Sequence, residues 1–216
     1  MTESRVTPWV AVGVMALAQL ACDDSTLTRE EARKALDEVS LSVQTQGILL
    51  AIQRAIADAH EPADPAGWLE EVEAAVVAAS PCATVTRGSV RLNVTFASPD
   101  SETGCSYLDT ALWGGFELAV PDPLPTPWSF QVNYQDLGTA SLTVTGSSEV
   151  IASEEGGARQ LVSDLEWRLL DSTRTGTSEE DVEPVEADGS HRYAAARSWV
   201  SSSGSWSLAS EGLQLA

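Results

Sequence analysis

The sequence predicts an α+β protein: N-terminal amphipathic helices packed on a C-terminal antiparallel β-meander, the sheet being either curved or partly closed into a barrel. Three observations carry that expectation. Up to Pro81, apolar residues recur at steps of three and four, the helical period. From Cys82 onward the period is two, the mark of half-buried strands. Short glycine-containing turns separate the successive runs, which joins neighbouring strands in sequence order and makes them antiparallel. The expected organisation is a leader over 1–21, a short tether and helices over 22–81, and a β domain over 82–216.

The first element is not part of the fold. Arg5 precedes an apolar run from Val6 to Leu20, and Asp23-Asp24 stops it sharply. This is the layout of an export signal, and it is shorter than the roughly 20 apolar residues a membrane-spanning helix needs. Leu20-Ala21-Cys22 resembles a bacterial lipoprotein signal, with small residues before a cysteine that is acylated and becomes the new N-terminus. Gln19 stands where such signals usually carry Leu. Cleavage after Ala16-Leu17-Ala18 and an uncleaved anchor are the competing readings. The lipoprotein resemblance implies acylation of Cys22 and a permanent membrane anchor, because each buried CH₂ adds about 0.8 kcal/mol.

The chain has three cysteines. In an oxidising compartment the default is pairing. With Cys22 acylated, Cys82 and Cys105 form one disulfide and no thiol is left over. Closing that loop is worth on the order of 3 kcal/mol.

The helices come next. Thr28-Arg-Glu-Glu31 is a capping box. The stripe Ala32, Leu36, Val39, Val43 and Leu50 follows, with a second at Leu49, Ile52, Ile56 and Ala59. Gly47 marks a kink or break between them, and Pro62 places the helix end near His60. Asp64-Pro65 opens a second helix as cap and first-turn proline. Its stripe is Leu69, Val72, Val76 and Ala79, Pro81 ends it, and Glu70, Glu71 and Glu73 form a solvated face.

The strands alternate. Thr84–Arg87 and Val90–Phe96 flank Gly88-Ser89, a two-residue turn that would place Val85 opposite Leu92. Further apolar positions are Phe116, Leu118 and Val120; Trp128, Phe130, Val132 and Tyr134; and Ala140, Leu142 and Val144 after a turn at Asp136–Gly138. Leu161, Ser163, Leu165, Trp167 and Leu169 share another face. Residues 172–190 are the most polar stretch and read as a mobile acidic loop. A last hairpin runs from His191 to Leu215 around Ser203-Gly204, with Trp199 and Trp206 on its arms. The strand runs from Cys82-Ala-Thr-Val-Thr, with Gly104-Cys105, Trp113-Gly-Gly and Asp136–Gly146, resemble uncharacterised cell-envelope lipoproteins of Gram-negative bacteria, which have a Thr/Val-rich β domain and one early Cys pair. That resemblance implies an exported β domain and transfers no catalytic residue.

Composition and spacing weigh against most chemistries. Twelve basic against 32 acidic residues, a net charge of −20, exclude a phosphate-binding footprint and hence nucleic acid as partner. No Gly-x-Ser-x-Gly occurs, and only His60 and His191 are available as bases. Paired carboxylates would serve a glycosidase; Glu117, Asp164 and Glu166 are the candidates, and the solvent face of a sheet is their simpler role. The acids of the polar stretch offer hard oxygens for Ca²⁺, with Glu183, Glu186 and Asp188 as weak candidates, but their spacing fits no EF-hand. Trp113, Trp128, Trp167, Trp199 and Trp206 offer stacking surfaces, Trp199 and Trp206 being the ligand-binding candidates across one hairpin. No catalytic residue and no cofactor is assigned. The expected protein is a lipid-anchored module of the bacterial envelope, on the inner or outer membrane, touching it only through acyl chains. Its protein or glycan partner is left open, and a monomer is the simplest state. Two alternatives stand beside it. One is a carrier of lipid or lipoprotein with an apolar cavity between helices and sheet, resembling the half-barrel of the lipoprotein-localisation factors. The other is a hydrolase using paired carboxylates.

Overall fold

Thr28 starts the first helix by the reciprocal bonding its sequence predicts. The computed structural model describes residues 28–57, 64–98, 100–107, 109–152, 158–169, 172–184 and 191–215. The Thr28 amide donates to Glu31 Oε2 at 2.8 Å, its hydroxyl donates to the same oxygen at 2.7 Å, and the Glu31 amide donates to Thr28 Oγ1 at 3.3 Å. Helix α1 then runs over Arg29–Ala57. It passes through Gly47 without interruption, so the expected break is absent. A single exposed glycine costs only about 1 kcal/mol in a helix interior, which the flanking turns absorb.

The chain divides into two compact units inside α1, between Gln44 and Thr45. In the smaller unit the described part is the first half of α1. Here the expected stripe is not the buried one: Leu36 and Val43 are 51 % and 53 % exposed. Among the described positions of α1, Glu38, Leu41, Ser42, Thr45 and Gln46 are buried, and beyond them Leu49, Ile52 and Ile56 of the expected second stripe are buried as read. They keep the helical period, but the face is polar through its first half.

In the larger unit, α2 spans Pro65–Ala79. Asp64 caps it by accepting from the Gly67 amide at 2.7 Å, and Pro65 sits in the first turn. Trp68, Leu69, Val72 and Val76 are its buried side chains. The Ser80 amide closes the last turn on the Val76 carbonyl. Ten strands follow: β1 Thr84–Arg87, β2 Arg91–Thr95, β3 Cys105–Tyr107, β4 Thr110–Ala119, β5 Ser129–Gly138, β6 Leu142–Ala152, β7 Arg159–Leu169, β8 Ser172–Pro184, β9 His191–Ser201 and β10 Gly204–Leu215. They pair antiparallel in the order β1-β2-β4-β5-β6-β7-β8-β9-β10, with β3 attached to the start of β4. This is the expected meander. Alternation of buried and exposed residues along β2, β5, β6 and β7 gives the sheet one inner and one outer face.

Four expectations are corrected. The sheet is not closed: β1 and β10 are its two ends, and a four-residue β1 offers too short a ladder for a twelve-residue partner. The two helices do not form one layer over the sheet. α2 meets it from β1, where Arg87 bonds Glu73 at 2.6 Å and Glu70 at 3.5 Å, to the start of β5, where Trp68 packs on Phe130, and the first half of α1 belongs to the other unit. In the first half of α1 the apolar Leu36 and Val43 are exposed and the polar Glu38 and Ser42 are buried. Glu70 and Glu73 are thus salt-bridged to the sheet rather than merely solvated. The β1–β2 hairpin is shifted by two residues, with Val85 opposite Val94, because Gly88 stays in the ladder and bonds the Arg91 carbonyl at 2.8 Å. Parity is preserved, so each side chain keeps its predicted face. Finally, residues 172–184 are strand β8, not loop; its hydrogen-bonded partners are β7 and β9.

The turn expected at Asp136–Gly138 is instead a bulge within β5. Asp136 has φ 47°, Gly114 opposite it has φ 72°, and the true turn follows at Thr139, whose amide bonds the Leu142 carbonyl. A Cβ on Gly114 would stand 2.1 Å from the Asp136 carbonyl oxygen. The two irregularities therefore fit only because position 114 has no side chain. Such bulges sharpen the local twist of a sheet.

Cys82 and Cys105 are disulfide-bonded, with Cα atoms 5.7 Å apart, and so tie the end of α2 to β3. Ser80, fully buried beside them, donates its hydroxyl to the Ser106 carbonyl at 2.8 Å. An aromatic core lies close by: Phe96 against Tyr107 and Phe116, and Trp68 against Phe130. Replacing both cysteines by serine should cost about 3 kcal/mol by loop closure. At roughly 2–4 °C per kcal/mol for a domain of this size, the melting temperature should fall by about 6–12 °C. A melt unchanged by the double substitution refutes the staple.

Glu31 offers a pH test. The Thr28 hydroxyl and then the Thr28 amide, bonded to its carboxylate, hold its pKa below the ordinary glutamate value. A depressed carboxylate pKa means the cap is fully formed above the ordinary value of about 4.3 and is lost as pH falls through the folded value. Amide exchange in the first turn of α1 should therefore speed up below about pH 4 beyond the intrinsic pH dependence, and Glu31→Gln should remove that extra change.

Candidate functional site

Most inner-face positions of the sheet are hydrocarbon, but a polar seam crosses β6 to β9. Registry dictates it. Ser148 of β6 stands opposite Ser163 of β7, Ser163 opposite Ser178 of β8, and Ser178 opposite Arg197 of β9. The three serines are buried, and the Ser148 and Ser163 hydroxyls bond each other at 2.8 Å. Two residues along β8 from Ser178, and therefore on the same face, is Glu180.

Glu180 is only 2 % exposed. An isolated buried carboxylate would be prohibitively costly, so its partners decide whether the fold tolerates it. Arg197 Nη2 stands 3.2 Å from Oε1, and its side chain is itself only 11 % exposed. Gln46 Nε2, from α1, donates to Oε2 at 2.5 Å. Each carboxylate oxygen thus has one donor. The trio joins residues 46, 180 and 197, on α1, β8 and β9. Chemically it is a buried charge-assisted pair held by a neutral amide, arranged to lock elements together.

Above the seam the aromatic residues continue the face. Trp199, opposite Gly176, is buried, and its ring centroid lies 6.3 Å from that of Trp167. A Cβ at position 176 would lie 2.6 Å from that of Trp199, so glycine makes room for the indole. Trp206 is directly opposite Trp199 in the ladder, half-buried, and donates Nε1 to Ser201 Oγ at 3.2 Å. Only Trp206 of this pair thus presents its ring at the surface. A second aromatic group lies near the start of β5. Trp128 stacks on Phe130 at 5.5 Å and meets Trp68 edge-on at 5.9 Å, with the Arg159 guanidinium 5.8 Å from its ring centre. Trp113 is half-buried and bonds the Ser101 carbonyl.

Of the carboxylates singled out for hydrolysis, Asp164 and Glu166 are two residues apart on the outer face of β7, about 7 Å by strand rise, and Glu117 stands away from both. Glu117 and Asp164 lie in one cross-strand row through Asn133 and Ser147, three strand spacings apart. That is about 14 Å, beyond the roughly 5–9.5 Å of either glycosidase geometry. Glu117 is bonded to Arg91 at 3.0 Å and Glu166 to Arg168 at 3.3 Å. Asp164 is exposed on the outer face. Among the described residues, no three His, Cys, Asp or Glu side chains stand together as a metal site. Glu183 is exposed on β8, while Glu186 and Asp188 lie outside the described residues, as do Cys22 and His60. His191 opens β9 as expected. No helix among the described residues is long and apolar enough to cross a membrane.

Gln46, Ser178, Glu180 and Arg197 were not visible as a group in the sequence. The one available signal was alternation in Thr173, Thr175 and Thr177, β-branched residues that mark an outward strand face. It implies that Ser178 and Glu180 point inward. The chain matches no protein-family model, no curated protein and no solved structure.

Removing one member of the buried pair should be costly. Arg197→Met leaves Glu180 without its cation and should destabilise by about 3–5 kcal/mol. Adding Glu180→Met should recover most of that loss. The check is a double-mutant cycle by denaturant unfolding. A loss for Arg197→Met below about 1 kcal/mol, the value of an exposed pair, refutes the assignment.

Proposed function

We propose that this chain is exported with residues 1–21 as its signal, is acylated at Cys22, and serves the bacterial envelope as a non-catalytic binding or structural module. The observation that supports this reading is the disulfide. Cys82 and Cys105 are joined, which accounts for two of the three cysteines and matches an oxidising compartment. Cys22 is the third, in the Leu20-Ala21-Cys22 run that resembles a lipoprotein signal. Two or three acyl chains there would hold the protein on either the inner or the outer membrane. With a net charge of −20, the folded part would be repelled by anionic lipid, so the chains rather than a protein face would supply the attachment.

The non-catalytic part of the proposal rests on the state of the acids. Glu117, Glu166 and Glu180 are each ion-paired to an arginine, so of the hydrolase candidates Glu166, the near neighbour of Asp164 on β7, is held by Arg168, and Glu117 stands far across the sheet from both. A carrier of acyl chains is the less favoured reading, because the inner face of β6 to β9 holds serines and an ion pair where a lipid tail would want hydrocarbon. Labelled fatty acid fed to expressing cells should enter the wild-type protein and not Cys22→Ser. Equal labelling of the two, or none in the wild type, overturns the anchor.

A further inference from the structure

The two ends of the open sheet are guarded very differently. β1 has four residues, and Arg87 on it is salt-bridged to Glu70 and Glu73 of α2. β10 has twelve residues and, among the described strands, pairs with β9 alone. Its other edge carries a row of backbone N–H and C=O groups. Natural edges are usually blunted by Lys, Pro, an inward charge, a bulge or a very short strand, and β10 has a bulge with Glu211 only beyond Ser210. The run Gly204-Ser-Trp-Ser-Leu-Ala-Ser210 has none of these, and its register with β9 is unbroken until the bulge beyond Ser210.

We propose that β10 is a dimerisation strand that pairs antiparallel with β10 of a second copy of this chain. Charge picks the occupant. A chain at −20 repels its own copies over most of its surface, yet residues 191–216 contain two arginines and one glutamate. This edge is where two copies meet without that repulsion. An extended acidic segment of another protein would find no cationic side chain within 204–210 to recognise it. Self-pairing needs none, because the strand is its own complement. With a two-fold axis at Leu208, Trp206 of one copy faces Ser210 of the other, and Ser207 faces Ala209. Parity is kept, so the two inner faces become continuous. Trp206 and Leu208, half-buried on the inner face, then gain neighbours that a terminal strand lacks, while Ser205, Ser207 and Ala209 stay on the outer face.

The test uses the full chain in detergent, by light scattering on a concentration series to about 100 μM, a range suited to a small strand-to-strand interface. Wild type should reach twice the monomer mass. Ser207→Lys with Ala209→Lys places like charges opposite each other across the axis and should give a monomer with an unchanged melt. Ser207→Glu with Ala209→Glu should do the same. An equimolar mixture of the two variants should return to the dimer mass. A monomeric wild type, which would leave the edge to another partner, overturns the proposal. So does a lysine variant that still dimerises, or a mixture that stays monomeric.

Discussion

The Glu180 carboxylate can be buried only if cations and amides come to it, and that requirement organises one end of the molecule. Arg197 must be on the adjacent strand, one register step away, and Gln46 must be brought by a helix from far earlier in the chain. A register slip of one residue in β8 would turn Glu180 to the outer face and strand Arg197 on the inner one. The ion pair thus adds little net energy compared with hydrocarbon of the same volume, but it makes one register far better than its neighbours. The serine row beside it is equally register-dependent, since Ser148 and Ser163 bond only when directly opposite. A flat, polar strand such as β8 needs this kind of specification more than an apolar strand does.

At the other end the constraints are covalent and apolar. The disulfide ties α2 to β3, Ser80 fills the space beside it, and Trp68, Phe96, Tyr107, Phe116, Phe130 and Tyr134 are all buried. The irregularities at Gly114 and Asp136, which fit only because position 114 has no side chain, lie within this part of the sheet, on β4 and β5. The sheet is therefore anchored by hydrophobic area and a crosslink near β1 to β5. Further along it relies increasingly on matched polar groups.

That division explains what could be read from the chain. On regular elements the apolar period was legible: Leu69, Val72 and Val76 on α2, and Leu118, Val132, Val144 and Leu165 on strands, are all inside, whereas Tyr107, Leu112, Leu137 and Val150 are buried without having been picked out and Ala140 is exposed at the turn. The meander order followed from short turns, and the cysteine pair from counting. What failed to show was burial of polar residues. Residues 172–184 looked like an acidic loop because hydropathy does not see the alternation of Ser172, Arg174, Gly176, Ser178, Glu180 and Val182 with outward Thr, Glu and Asp. The same blindness misplaced the first stripe of α1, where Glu38, Ser42, Thr45 and Gln46 are buried and Leu36 and Val43 are exposed, while the second, Leu49, Ile52 and Ile56, is buried as read. The turn shifts at Gly88 and Asp136 have a different cause. Glycine and aspartate mark irregular backbone in general, and a bulge and a turn share that signature.

A sheet whose core thins toward one end has a consequence for its edges. An outermost strand is covered on one side only, so its inner side chains are buried as deeply as the single neighbouring strand and the layer beneath allow. At β1 the deficit is met by α2, through the guanidinium held between two glutamates. At β10 the inner positions remain half-buried, with Trp206 using its indole N–H on a local serine. Compared with Trp199, one strand inward and fully buried, Trp206 has the same chemistry and an incomplete environment. The unfavourable balance at that strand is local and does not propagate, because the Glu180–Arg197 pair fixes β9 from the inside. Among the described strands β10 pairs with β9 alone, and the Glu180–Arg197 pair fixes the register of β9, on which β10 is laid. The polar seam that costs the interior its hydrocarbon thus also sets the register on which the outermost strand is laid.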